Sequence, residues 1–177
     1  HLFGGNGEDA LNGSFGNDTL SGGEGDDILN GGQDDDLLLS DPGADVLLSG
    51  SGLDTVDYGG SPEPVFIGLD GELGTGGHAE GDRITGTEVL AGSAGADSLW
   101  GDGGGNVLFG SGGDDTLNGF GGRDTLDGGA GDDLIRSGGG ADLLVGQTGS
   151  DTADYTNSPV PVEVILAGTF ADPLAEG

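Results

Sequence analysis

An apolar residue recurs every nine positions along most of the chain: Leu11, Leu20, Leu29, Leu38, Leu47 and Val56, then Leu99, Leu108, Leu117, Leu126, Ile135, Leu144 and Ala153. Two residues ahead of each stands an aspartate: Asp9, Asp18, Asp27, Asp36, Asp45 and Asp54 in the first series, and Asp97, Asp115, Asp124, Asp133, Asp142 and Asp151 in the second, with Asn106 as the exception. The unit reads Gly-Gly-x-Gly-x-Asp-x-apolar-x, as in Gly22-Gly23-Glu24-Gly25-Asp26-Asp27-Ile28-Leu29-Asn30. Six residues supply a turn that visits positive φ at its glycines, and three supply a short extended stretch with one inward side chain. A three-residue strand buries almost nothing by itself. If two units make one coil, coils stack about 4.8 Å apart and the apolar side chains form two facing internal ladders. Stacking then supplies the core that no single unit could bury, which predicts an all-β chain of roughly ten turns.

The array is duplicated. Adding 97 carries Asp18-Thr19-Leu20 onto Asp115-Thr116-Leu117, and Asp54-Thr55-Val56-Asp57-Tyr58 onto Asp151-Thr152-Ala153-Asp154-Tyr155. Four segments follow: a first array over 1–58, a connecting segment over 59–91, a second array over 92–155, and a truncated counterpart of the connecting segment over 156–177. Between 59 and 91 the beat lapses. There Val65-Phe66-Ile67-Gly68-Leu69, Arg83-Ile84-Thr85 and Val89-Leu90-Ala91 predict longer strands that continue the solenoid with wider turns, and Val160 to Leu166 repeat the pattern. Leu90 lies nine before Leu99 and Glu88 nine before Asp97. A flexible linker is the alternative reading of this segment. Tyr58 and Tyr155 follow the last unit of each array and are expected as end plugs over the final apolar layer, or else as aromatic contacts for a ligand. Phe3, Trp100 and Phe109 take the outward ninth position, where aromatics could serve a sugar.

Charge narrows the partners. Against 33 acidic residues stand Arg83, Arg123 and Arg136 with no lysine, a net charge of -30. Such a surface excludes nucleic acid and anionic membranes as partners. With 44 glycines and few aromatics, the metal-free chain is expected to be unstructured. Absence of cysteine removes disulfides and thiolate metal sites. No apolar run is long enough to span a bilayer. The chain lacks methionine and begins inside a repeat, so it is expected to be a piece of a longer protein.

Stacking places each aspartate above the one eighteen residues away, with Asp9, Asp27 and Asp45 on one edge and Asp18, Asp36 and Asp54 on the other. Two carboxylates about 5 Å apart repel by about 0.8 kcal/mol in bulk water and by about 3 to 4 kcal/mol at an effective dielectric of 20. A cation is required. Carboxylates and loop carbonyls are the oxygen ligands on offer, and six to eight oxygens from flexible loops suit calcium better than magnesium. No catalytic constellation accompanies them. His1 and His78 stand alone, His78 in a polar turn that reads as solvated, and no glycine motif opens a helix as a nucleotide site requires. The carboxylates repeat without the asymmetry that separates an acid from a base. An enzyme is not predicted.

On these units the chain resembles the RTX (repeats-in-toxin) family of calcium-binding repeats. The resemblance covers about 120 of the 177 residues and implies a right-handed parallel β-roll with calcium between successive turns on each edge, roughly ten ions in all. It pairs Asp9 with Asp27, Asp18 with Asp36, Asp115 with Asp133, and Asp124 with Asp142 as shared ligands. Carbonyls of loop glycines such as Gly23, Gly25, Gly32, Gly122, Gly129 and Gly131 would complete the shells. Asn106, Asp34 in place of a fourth-position glycine, and Pro42 after Asp41 depart from the pattern, and looser or missing calcium is expected there. Export through a bacterial type I channel, with folding outside the cell, is also implied. Three roles fit: a structural or adhesin module, a fibre or surface-layer subunit that associates end to end or side by side, and an appended module of a secreted protease, lyase or epimerase that assists secretion or binds polysaccharide.

Overall fold

The computed structural model describes residues 1–156, 158–159, 163–165 and 169–171. Each turn delivers the chain into a short strand, and successive strands fall alternately on two faces. One face, among the described residues, is a nine-stranded parallel sheet. In order its strands are β1 (Leu2–Asn6), β3 (Thr19–Glu24), β5 (Leu37–Leu39), β7 (Thr55–Asp57), β10 (Val89–Ala91), β12 (Val107–Phe109), β14 (Thr125–Ala130), β16 (Leu143–Thr148) and β18 (Glu163–Ile165). The opposite face begins with β2 (Ala10–Phe15), β4 (Ile28–Gln33), β6 (Val46–Ser51) and β9 (Arg83–Thr85). It continues with β8 (Phe66–Gly68), β11 (Ser98–Trp100), β13 (Thr116–Asn118), β15 (Leu134–Arg136), β17 (Ser150–Asp154) and β19 (Thr169–Ala171).

Two nonapeptides make one coil. Leu20 pairs with Leu38, and Leu38 with Val56, each eighteen residues on, while Leu29 pairs with Leu47 on the other face. The eighth-position side chains from Leu20 to Leu144 are fully buried and form two ladders between the sheets. The chain is a β-solenoid, its core a single column of aliphatic side chains two residues wide.

The connecting segment departs from the expected longer strands. Its strands β8, β9 and β10 have three residues each, and the extra length goes into a reversal. β9 pairs with β6, whereas β8, earlier in the chain, pairs with β11 farther along the stack. Residues 73–75 run antiparallel between them, bridging Phe66 to Thr75 and Leu73 to Arg83. On the long sheet β7 pairs directly with β10, Thr55 beside Val89, an offset of 34 residues where the array uses eighteen. That longer offset is why nine strands line this face where a uniform count predicts ten. Between β7 and β10 the opposite face holds β8, the antiparallel segment 73–75 and β9 where regular coiling would place one strand, so at about 4.8 Å per strand it is wider by about 10 Å. Tyr58, Val65, Ile67, Leu69, Ala79 and Ile84 are buried in this wedge, with a 3-10 turn at Gly77–Ala79 beside them.

Tyr58 therefore lies inside the stack, fully buried, because the solenoid continues past it; it does not plug an end. Tyr155 packs partly buried against the core. His78 is half-buried, its Nδ1 3.2 Å from the Ser40 carbonyl, so the expectation of a solvated ring fails. Val160, Pro161, Val162 and Leu166 lie outside the described residues.

Leu117→Ala should cost about 2–5 kcal/mol, because the column has no slack to close the cavity. Thr116→Ala, on the outward neighbour, should stay within about 0.5 kcal/mol. Denaturant unfolding at saturating calcium measures both.

Candidate metal centre

Each sixth-position aspartate beyond the first coil is fixed by the coil before it. Asp9 donates its backbone N–H to Asp27 Oδ1 at 2.8 Å, Asp27 to Asp45 at 2.9 Å, Asp18 to Asp36 at 2.8 Å and Asp36 to Asp54 at 2.8 Å. In the second array Asp97 donates to Asp115, Asp115 to Asp133 and Asp133 to Asp151, while Asn106 donates to Asp124 and Asp124 to Asp142. The residues expected to pair are thus brought together along both edges, each in contact with the next coil.

The other carboxylate oxygen is left without a donor. Oδ2 of Asp27, Asp36, Asp45, Asp54, Asp115, Asp124, Asp133, Asp142 and Asp151 is buried and has no hydrogen-bond partner. An ionised oxygen stranded out of water costs free energy unless a positive charge or a donor meets it. Asp9 and Asp18, in the first coil, are only partly buried.

Glycine shapes the space around this oxygen. A Cβ on first-position Gly4 would stand 2.7 Å from Asp9 Oδ2 and 2.5 Å from the Gly22 carbonyl oxygen of the next coil; on Gly13 it would stand 2.8 Å from Asp18 Oδ2 and 2.5 Å from the Gly31 carbonyl. The same meeting of carboxylate and carbonyl oxygens recurs at Gly110 and Gly119. Both oxygens face the glycine Cα at the place where a side chain would stand. In the loops Gly23, Gly25, Gly32, Gly122, Gly129 and Gly131 all have positive φ. A Cβ on any of them would collide with the carbonyl of the residue eighteen positions earlier, as Gly23 with Gly5 and Gly131 with Gly113. No three His, Asp or Glu side chains converge on a point among the described residues. A cation here must therefore be shared between carboxylate and backbone oxygens, and the stranded Oδ2 atoms with their carbonyl neighbours fit a hard one.

Three departures behave differently. Asp34 keeps the turn at φ 71°, and its carboxylate accepts the Gly16 N–H at 3.0 Å. The Pro42 loop holds its place, the Pro42 carbonyl accepting Gly25 N–H at 3.0 Å, and Asp45 keeps its unpartnered oxygen. Asn106 instead closes its own loop, accepting Asp102 N–H at 2.8 Å. Asp97 does likewise, with both oxygens taken by Ser93 and Val65. Asp82 is a ladder member that the nine-residue beat misses: its Oδ1 accepts Asp45 N–H at 2.7 Å. Asp82-Arg83-Ile84 carries the Asp-x-apolar triplet, which could have revealed it without the glycines.

A family model for the RTX calcium-binding nonapeptide repeat matches residues 3–38, 34–60, 84–117 and 118–153. The chain belongs to this family. Its repeats bind calcium, and the parallel solenoid is the RTX β-roll. No curated protein matches the chain. Among the described residues no helix is long and apolar enough to cross a membrane.

Burial pushes Asp45 and Asp115 from 3.8 up to about 7, the neighbouring carboxylates adding to it. Burial likewise pushes Asp124 and Asp133 up to about 6. Without calcium, the folded roll thus binds protons more tightly than the unfolded chain. That stabilisation is complete below pH 3.8 and is lost as pH rises through 6 to 7. In chelator, circular dichroism should gain β signal as pH falls from 8 to about 4, and the calcium needed to reach the folding midpoint at fixed temperature should fall below pH 7, since protons already stabilise the folded roll at the same oxygens.

Proposed function

We propose that the chain is a calcium-driven folding module of a secreted bacterial protein, with a structural or adhesive role. The observation that carries this reading is the row of buried, unpartnered Asp oxygens along each edge. Calcium held by Asp9, Asp18, Asp27, Asp36, Asp45, Asp54, Asp115, Asp124, Asp133, Asp142 and Asp151, with loop carbonyls, supplies the positive charge those oxygens lack. Such binding energy is folding energy. At the low calcium of the cytosol the coils that strand an oxygen stay unfolded; outside the cell they fold. RTX repeats are typical of secreted bacterial proteins, which supports that location. The ion number follows the stranded oxygens, nine in the described residues. No catalytic role is assigned to the roll.

The outer rows of the long sheet favour a second role, side-by-side association. Leu37, Leu39, Val89, Val107, Leu143 and Val145 stand there half-exposed, with Phe109 more open. Sedimentation with calcium separates a monomeric module from a polymer.

The deciding experiment is a calcium titration followed by far-ultraviolet circular dichroism after chelation. A cooperative gain of β signal with a midpoint on the order of 0.1 to 1 mM is expected for calcium and none for magnesium at the same concentration. An unchanged spectrum in calcium would remove the reading.

A further inference from the structure

The stranded oxygens do not run evenly along the roll. They form one group from Asp27 to Asp54 and another from Asp115 to Asp151. Between them lie four consecutive ladder positions, Asp82, Glu88, Asp97 and Asn106, and none carries a buried unpartnered oxygen. At Asp82 and Asp97 donors of the chain itself meet the oxygen that is stranded elsewhere, and Asn106 has no charge to meet.

Asp82 is fully buried, yet its Oδ2 accepts the Tyr58 hydroxyl at 2.8 Å and the Ser40 hydroxyl at 3.3 Å. Asp97 accepts Val65 N–H at 2.7 Å and the Ser93 hydroxyl at 2.8 Å on Oδ1, and Ser93 N–H at 2.6 Å on Oδ2. Asn106 carries no charge. Glu88, half-buried and one methylene longer, accepts Asp54 N–H at 3.1 Å. Loop shape gives a second, independent sign. Every turn that strands an oxygen has positive φ at its fourth position, as at Gly25 and Gly43, and all but the Asp41 turn have it at the second, whereas Ser93, Gly95, Asp102 and Gly104 do not. These turns are built differently from those that strand an oxygen. The wedge of Tyr58, Val65, Ile67, Leu69, Ala79 and Ile84 gives the same stretch more apolar interior than an array coil has.

We propose that residues 58–106 form a calcium-independent joint that holds its packing without metal and divides the roll into two arrays that load calcium separately. This rests on the reading that calcium meets the stranded oxygens elsewhere in the roll. In a stack, each coil feels only its neighbours. A block whose stability owes nothing to calcium presents the same finished surface to either array whether or not the other is loaded, so the calcium dependence of one is not passed to the other.

The chain carries its own reporter, because its one tryptophan, Trp100, lies in the joint on β11. The test uses the whole chain, titrated with calcium after chelation. Circular dichroism follows the roll, Trp100 emission follows the joint, and calorimetry counts ions. Trp100 emission should already be that of a packed residue in chelator and should change little as the β signal rises. Asp27→Asn with Asp36→Asn should remove the first array's share of the gain, and Asp124→Asn with Asp133→Asn the second's. In each case the midpoint of the surviving transition should stay within about twofold. Tyr58→Phe and Asp82→Asn should lower the melting temperature at saturating calcium without changing the ion count. Loss of the whole gain in either double variant, a larger midpoint shift, Trp100 emission moving together with the β signal, or an ion lost in Asp82→Asn or Tyr58→Phe would each overturn the joint. Tyr58→Phe removes a single hydroxyl and so covers the case in which Asp82→Asn fails to fold. A wild-type chain that takes up no calcium would overturn the calcium reading itself, a distinguishable failure.

Discussion

Carboxylates stacked at the spacing of β-strands, and turned out of water, are the constraint to which the rest of this roll answers. Hydrogen bonding satisfies one oxygen of each, because the neighbouring coil offers its aspartate N–H, 2.8 Å away for Asp9 and Asp27. From Asp27 to Asp54 and from Asp115 to Asp151 the other oxygen meets no donor. At an effective dielectric of 20 each neighbouring pair repels by about 3 to 4 kcal/mol, whereas a fully buried leucine gains about 1.5 to 3 kcal/mol. The electrostatic cost is therefore as large as the hydrophobic gain that stacks the coils, and a roll with every aspartate ionised stands close to balance. A proton or a cation tips it. Burial lifts Asp45 and Asp115 to about 7, which means that near neutral pH the metal-free roll already draws on protons.

Glycine belongs to the same constraint. First-position glycines leave open the place where a carboxylate oxygen and a carbonyl of the next coil meet, at Gly4 and Gly13 among others. Second- and fourth-position glycines let a carbonyl point along the stack into a volume that any Cβ would fill. Left-handed φ alone does not demand glycine there, since Ser14, Ser111, Phe120 and Gln147 adopt it at the second position. Close approach between coils is the stricter requirement where both act together.

Much of this was legible in the sequence because the roll is quasi-one-dimensional. A nine-residue beat fixes which side chains face inward, and an eighteen-residue offset fixes which residues touch, so Leu20, Leu38 and Asp27, Asp45 could be placed from spacing alone. The beat fails where contacts cease to be local. Nothing in Phe66-Ile67-Gly68 says that it skips ahead to pair with Ser98, or that Arg83 drops back to Val46. Tyr58 looked terminal because the pattern stopped there, yet the stack runs on and buries it against Asp82. Asp82 itself has the triplet without the glycine turn, since a hydroxyl donor replaces the loop geometry that the array needs.

The reversal also sets how the two copies relate. Each nonapeptide is half a coil, so a unit serves either face without change to its sequence. The first-copy strand β3 lies in the long sheet, whereas its counterpart 97 residues on, β13, lies in the opposite face. In the same way β4, on the second face, corresponds to β14 in the long sheet. The copies are thus related by a half-turn about the roll as well as a step along it. Equivalent outward residues, such as Asp57 and Asp154, consequently face opposite sides. A binding feature written once in the 97-residue unit is displayed twice, on opposite faces, and the joint between the copies sets that phase.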